Sequence, residues 1–120
     1  MTWKSGSDLV AEAKKKIKEV TPAESVRIHS EDPSVLFLDC REPNEWNLGH
    51  IPGAIFIARG NIESRVEATI PREKRVIIYC ARGNRSALAA DTMQQMGYED
   101  VASMSEGFGG WVDAGGDVEG

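Results

Sequence analysis

The chain has 120 residues, which is room for one domain with a single hydrophobic core. Its composition, 41% hydrophobic and 28% charged, excludes fibrous and disordered classes. The formal net charge of −5 argues against a nucleic-acid partner, which would require a clustered excess of Lys and Arg. No run approaches the roughly 18 apolar residues that cross a membrane, and the N-terminus lacks the apolar core of a secretory signal. We therefore expect a cytoplasmic protein with no membrane partner.

The first twenty residues predict a helix with one apolar face. Val10, Ala13, Ile17 and Val20 follow helical spacing after the polar cap Ser7-Asp8, so we expect this helix to end near residue 20. A second helix should begin at residue 21, because Thr-Pro-Ala-Glu is a capping box with proline at the first helical position. The sequence thus predicts an N-terminal helical extension over 1–20 and a main domain over 21–118.

Apolar runs alternate with helical segments through the rest of the chain. The candidate strands are 35–38, 54–57, 76–79 and 101–104. The candidate helices are 42–48, 61–68, 86–96 and 108–114. This alternation predicts an α/β fold with a mainly parallel sheet and helices on both faces. Sites in such folds lie beyond the carboxyl ends of the strands, where Asp39-Cys40-Arg41 follows one run and Cys80 follows another.

The stretch "CARGNRS", from Cys80 to Ser86, has the composition of an anion cradle. Arg82 and Arg85 add positive charge, Gly83 lets the backbone curl, and the following helix presents free amides. Such surroundings lower the pKa of a thiol from its ordinary value of about 8.5 and make it a nucleophile. A buried structural cysteine at a strand end is the alternative that local physics leaves open.

Four blocks of the sequence resemble the rhodanese family of sulfurtransferases, specifically its single-domain bacterial members. They are "DCREPNEWNLGHIPGA" from Asp39, "CARGNRS" from Cys80, "MGYEDV" from Met96 and "GFGGWVDAGGDV" from Gly107. They occur in the family's order and cover roughly residues 21 to 118. The resemblance implies a rhodanese-like fold whose central sheet has about five strands.

The resemblance also implies an activity, that of a thiosulfate sulfurtransferase. Cys80 would take a sulfane sulfur from a small anionic donor such as thiosulfate, form a persulfide, and pass the sulfur to cyanide or a thiol. The active-site loop would consist of Ala81, Arg82, Gly83, Asn84, Arg85 and Ser86. No cofactor is implied, and the sequence offers no metal site, because its two cysteines and two histidines lack ligand spacing.

Three alternatives remain open. The persulfide could pass to a protein acceptor, which would make the protein a sulfur carrier. A cysteine-dependent phosphatase or arsenate reductase uses a related loop, but with five residues between Cys and Arg, whereas four separate Cys80 from Arg85 here. A non-catalytic rhodanese-like binding module would usually lack the cysteine or its loop, and this chain keeps both.

Several residues outside the loop are candidates for supporting the site. Asp39 and Arg41 would form a charge pair near the active site, or else a surface pair at a strand end. Arg59 follows a candidate strand and would either reach the same sheet edge or be solvated. We expect His50, in the Gly-His-Ile-Pro-Gly turn, to make structural hydrogen bonds.

Cys40 is the second cysteine at this edge. We expect it to be buried; the alternative is a resolving thiol that forms a disulfide with oxidised Cys80.

Overall fold

The computed structural model describes residues 2–120. At its centre is a five-stranded, wholly parallel sheet. In spatial order its strands are β1 (Lys18–Val20), β5 (Val101–Met104), β4 (Val76–Tyr79), β2 (Leu36–Asp39) and β3 (Ile55–Phe56). The predicted α/β class and parallel sheet are therefore confirmed.

Helices cover both faces of the sheet. They are α1 (Gly6–Lys16), α2 (Pro22–Glu31), α3 (Pro43–Asn47), α4 (Ile62–Thr69), α5 (Asn84–Gln95) and α6 (Gly107–Asp113). On one face, α4 and α5 pack on the sheet, and α1 packs outside against α5. On the other face, α2 packs against α6. None of the helices in residues 2–120 is long and apolar enough to cross a membrane.

The side chains of each central strand alternate between two hydrophobic clusters. Leu38 and Ile78 pack under α4 and α5, whereas Phe37 and Ile77 pack on the face that carries Trp111 of α6. All of β4 is buried, as expected for a central strand of a parallel sheet covered on both faces. The continuous apolar runs in the sequence reflect this double burial.

The N-terminal prediction is wrong in its last residues. Helix α1 ends at Lys16, and Lys18–Val20 forms an edge strand paired with β5. Ile17 and Val20 fit a helical stripe, but pairing with the open edge of β5 overrides that local pattern. The cap is Ser5 rather than Ser7, because the Ser5 hydroxyl accepts the Asp8 amide and the Asp8 carboxylate accepts the Ser5 amide.

The other boundaries differ from expectation by a few residues. Helix α5 begins at Asn84 rather than residue 86, and β3 is limited to Ile55–Phe56. The helix predicted from residue 21 is present, with the capping box of Thr21 and Glu24 formed as expected. The early start of α5 matters for the site, because it brings the first turn of the helix next to Cys80.

Candidate active site

The two cysteines lie side by side at the carboxyl edge of the sheet. The register of β2 and β4 pairs Asp39 with Tyr79, so the next residues along the chain, Cys40 and Cys80, are neighbours. The Cys40 amide donates to the Tyr79 carbonyl at 3.0 Å. Both thiols belong to the hydrophobic cluster under α4 and α5. The expected burial of Cys40 is confirmed, since its exposed fraction is 0%.

The loop after β4 folds around the sulfur of Cys80. The Gly83 amide donates to Sγ at 3.1 Å and the Ser86 amide at 3.4 Å. Gly83 makes this curvature possible, because it adopts φ +96° and a Cβ there would lie 3.3 Å from the Met104 carbonyl oxygen. Only 1% of Cys80 is exposed, so protein groups rather than water solvate its sulfur.

These surroundings lower the pKa of Cys80 to about 4. The largest cause is the Cys40 thiol, acting as a hydrogen-bond donor; burial opposes the shift, and the Ser86 hydroxyl and amide add to it. The pKa of Cys40 moves the other way, well above its ordinary value, because of its hydrogen bond to Cys80 and its burial. The two pKa values move in opposite directions, so the pair favours the negative charge on Cys80 and the proton on Cys40.

Two buried hydroxyl groups extend from the sulfur into the core. The Ser86 Oγ lies 3.5 Å from Cys80 Sγ and 2.8 Å from the Oγ of Ser103 on β5. Both serines are completely buried. The two hydroxyl groups thus form a continuous chain of hydrogen-bonding contacts that begins at the sulfur and ends inside an otherwise apolar cluster.

The two loop arginines differ in their surroundings. Arg85 makes a bidentate ion pair with Glu45 of α3, with N–O distances of 2.8 and 3.2 Å. This pair holds the pKa of Glu45 at about 2. Arg82 and Asn84 are exposed. The positive charge of Arg85 is thus largely compensated in this structure, and Arg82 is the exposed cation of the loop.

Helix α6 packs directly on the strand end that carries Cys80. The Phe108 amide donates to the Cys80 carbonyl at 2.8 Å. Gly107 precedes it at φ +56°, and a Cβ at this position would clash with the same carbonyl oxygen. The glycine-rich block near the C-terminus therefore allows α6 to fix the backbone of Cys80.

Asp39 and Arg41 form a buried ion pair rather than a surface pair. Arg41 Nη2 lies 2.7 Å from Asp39 Oδ2, and their side chains are 6% and 0% exposed. The same nitrogen donates to the Gly49 carbonyl at 2.7 Å, and the guanidinium lies over the Phe108 ring. Within residues 2–120 neither side chain makes a hydrogen bond to the loop, and the contacts of the pair are with Phe108 and the turn at Gly49.

Arg59 and His50 have partners away from the sulfur. Arg59 pairs with Glu63 at 3.0 Å and reaches Thr92 Oγ1 at 3.3 Å. His50 stacks on Trp46, with ring centroids 3.4 Å apart, and its Nδ1 lies 3.1 Å from the Trp46 carbonyl oxygen. The structural hydrogen bonds expected of His50 are present. The Arg59 side chain makes no hydrogen bond with residues 80–86 in the part of the chain described.

Sequence reasoning missed three contributors to the site: Glu45, Ser103 and the effect of the neighbouring Cys40 thiol on the pKa of Cys80. Ser103 carried a signal, because it is a lone hydroxyl inside the apolar run at 101–104. No signal in the sequence pointed to Glu45, since its partner Arg85 lies 40 residues away. No group of three or more His, Cys, Asp or Glu side chains within residues 2–120 is arranged to hold a metal ion.

The fold and the site together define a class of protein. It is a parallel α/β domain with a buried cysteine directly after a central strand, whose sulfur accepts hydrogen bonds from amides of the loop that enters the next helix. A family model described as "Rhodanese-like domain" matches residues 22–114, and the chain belongs to this family.

Similar proteins agree with this assignment. The chain is 34% identical over 79 residues to the thiosulfate sulfurtransferase GlpE of Tolumonas auensis, covering 66% of this chain and 74% of that protein. It is 32% identical over 98 residues to the thiosulfate:glutathione sulfurtransferase of Saccharomyces cerevisiae, covering 72% and 70%. A solved structure from Rhodopseudomonas palustris, called a protein of unknown function and "Possible Tyrosine Phosphatase", superposes with a TM-score of 0.89 at 37% identity, covering 99% and 97%.

Proposed function

We propose that the protein is a sulfurtransferase that carries a sulfane sulfur as a persulfide on Cys80, with thiosulfate as donor. The observation that carries this proposal is the convergence of the Gly83 and Ser86 amides on the Cys80 sulfur itself. These donors stabilise the attacking thiolate. The sulfurtransferase names of the two curated relatives support the same chemistry.

The reaction has two steps. The Cys80 thiolate attacks the outer sulfur of thiosulfate; a new S–S bond forms, the bond to the sulfonate sulfur breaks, and sulfite leaves with the electron pair. The acceptor, cyanide or a thiol, then attacks the outer sulfur of the persulfide and restores the thiolate. Charge and atoms balance in both steps without a cofactor or an external oxidant. A protein thiol would serve as acceptor by the same second step.

The reaction requires Cys80 as a free thiolate, and both cysteines are free in the structure. A reducing compartment keeps cysteines in this state. We therefore place the protein in the cytoplasm as part of this proposal. The exposed guanidinium of Arg82 creates a positive electrostatic potential at the loop, which attracts an anionic sulfur donor.

Replacement of the nucleophile tests the proposal. In Cys80→Ser we expect cyanide-dependent thiocyanate formation from thiosulfate to disappear, because a serine hydroxyl is not ionised at neutral pH and cannot form a persulfide. Circular dichroism before the assay confirms that the variant is folded. Turnover at the wild-type rate in Cys80→Ser would refute the assignment.

A cysteine-dependent phosphatase is the second candidate, favoured by the description of the Rhodopseudomonas palustris protein. The same preparation should be tested with p-nitrophenyl phosphate. We expect no Cys80-dependent hydrolysis, because the loop amides are directed at the sulfur and only four residues separate Cys80 from Arg85. Phosphate release that depends on Cys80, without thiocyanate formation, would favour the phosphatase instead.

A further inference from the structure

We propose that Ser103 is a positioning residue that directs the hydroxyl proton of Ser86 at the sulfur of Cys80. The inference deepens the sulfur-transfer proposal, because it concerns the state of the same nucleophile. Ser103 lies on β5, where its register partner on β4 is Ile78, two residues before Cys80. Its hydroxyl is completely buried and lies 2.8 Å from Ser86 Oγ.

The direction of the hydrogen bond between the two serines follows from their partners. In residues 2–120, Ser86 Oγ is the single hydrogen-bond partner of the Ser103 hydroxyl. A buried O–H requires an acceptor, so Ser103 donates to Ser86. The other neighbour of Ser86 Oγ is Cys80 Sγ, at 3.5 Å. A Cys80 thiol would donate across this contact, whereas a thiolate can only accept, so in the thiolate state the Ser86 hydroxyl donates to the sulfur. The chain of donation runs from Ser103 through Ser86 to the sulfur.

This arrangement favours a thiolate over a thiol. The Ser103–Ser86 and Ser86–Cys80 contacts offer places for two protons, and the two serine hydroxyls supply both. A Cys80 thiol would bring a third proton, which would then need an acceptor outside the serine pair. Donation from Ser103 also polarises the Ser86 hydroxyl and strengthens its bond to the sulfur. Ser103 thus acts on the nucleophile without touching it.

Other charged and titratable groups near the sulfur come from different elements. Cys40 lies at the end of β2, Arg85 is in the first turn of α5 and is paired with Glu45 of α3, and Arg82 is in the loop. Substitutions at Ser103 leave all of them in place. A change in the acidity of Cys80 in such variants would therefore report on the serine pair.

The test measures the rate of iodoacetamide alkylation of the Cys80 peptide against pH, followed by mass spectrometry. In Ser103→Ala we expect the midpoint of the alkylation rate against pH to rise by about half a pH unit. This shift corresponds to about a threefold change in the thiol–thiolate equilibrium constant. In a Ser86→Ala background, Ser103→Ala should cause no further shift, because the proton that it directs is gone. No shift in Ser103→Ala, or an equal shift in both backgrounds, would overturn the proposal.

Two controls separate the hydroxyl from packing. Ser25 is also completely buried, and its hydroxyl donates to the Thr21 carbonyl in α2, so Ser25→Ala should leave the midpoint unchanged. The side chains introduced by Ser103→Thr and Ser103→Val have nearly the same shape, but only threonine keeps the hydroxyl. The threonine variant should keep the wild-type midpoint, and the valine variant should raise it. Equal midpoints in this pair would also overturn the proposal. Alkylation needs no sulfur donor, so the result stands even if sulfur transfer is absent.

Discussion

At the scale of single residues, hydrogen bonds rather than nearby arginines account for the lowered pKa of Cys80. The sequence suggested that Arg82 and Arg85 would stabilise the thiolate, but Arg85 is paired with Glu45 and Arg82 is exposed. The lowered pKa of Cys80 comes first from the Cys40 thiol, then from the Ser86 hydroxyl and the loop amides. We therefore expect the arginines to affect binding of the sulfur donor more than the acidity of Cys80.

The pKa of about 4 for Cys80 gives a specific pH dependence. We expect its alkylation rate to be constant at neutral pH and to fall as the pH drops through about 4, whereas an ordinary cysteine would lose its reactivity below about 8.5. An inflection near the ordinary value would contradict the hydrogen-bonding account.

The same shift affects stability. Because the pKa is lower in the folded state than in the unfolded state, its stabilising contribution is complete above the unfolded value and is lost as the pH falls through about 4. Cys80→Ser should therefore narrow the difference in unfolding free energy between neutral and acidic pH. Denaturant titrations of the two proteins at several pH values measure this difference.

Glu45 and Arg85 offer a prediction about donor binding. In Glu45→Gln the guanidinium loses its counter-charge, so we expect the KM for thiosulfate to fall several-fold, with kcat less affected. Arg85→Ala should raise the KM for thiosulfate, and this effect on donor binding should be larger than the effect of the substitution on fold stability, measured as the melting temperature. Steady-state kinetics at fixed ionic strength measure both effects.

The matched control for this pair is Glu63→Gln, which breaks the ion pair between Glu63 of α4 and Arg59. It should leave the KM for thiosulfate unchanged, because neither side chain makes a hydrogen bond to residues 80–86 in the described part of the chain. A KM that is unchanged or higher in Glu45→Gln would show that the charge of Arg85 does not serve the donor.

At the scale of elements, the register of β2 and β4 creates the site. One residue beyond the Asp39–Tyr79 pair, the two strands place Cys40 against Cys80 on the same face. Neighbouring strands lie about 4.8 Å apart, within the roughly 4.4–6.8 Å between Cα atoms that a disulfide requires. Helix α6 then fixes the Cys80 carbonyl through the Phe108 amide.

This register predicts the product of oxidation. Hydrogen peroxide, a two-electron oxidant, should convert the Cys80 thiolate and the Cys40 thiol into a Cys40–Cys80 disulfide, while the peroxide is reduced to water and hydroxide and takes up the Cys40 proton. Peptide mapping by mass spectrometry without reductant detects the linked peptides, and dithiothreitol should reverse the change. Over-oxidised Cys80 with no linked peptide would mean that Cys40 has no resolving role.

At the scale of the whole molecule, the sequence predicted the features that arise from local patterns. The buried runs at 76–79 and 101–104, the capping box at Thr21 and the loop after Cys80 each carry their signal within a few residues. The edge strand Lys18–Val20 carries no such signal. A strand of three residues is too short to show an alternating pattern, and in the sequence the helical pattern before it continues through it.

The partners of the nucleophile were harder to predict, since they come from distant parts of the chain. Cys40 directly follows β2, Glu45 lies on α3 and Ser103 lies on β5, and only the order of strands in the sheet brings them to one place. A sequence pattern can identify a reactive cysteine through its loop. The donors that make it a thiolate depend on the packing of the complete sheet.

Intact-protein mass spectrometry after incubation with thiosulfate and removal of the excess donor is the most direct test of the central claim. We predict that the wild-type protein gains the mass of one sulfur atom, that peptide mapping places it on Cys80, and that cyanide removes it. Cys80→Ser should gain nothing under the same conditions. An unmodified wild-type protein, or a sulfur atom that is still added in Cys80→Ser, would contradict the account.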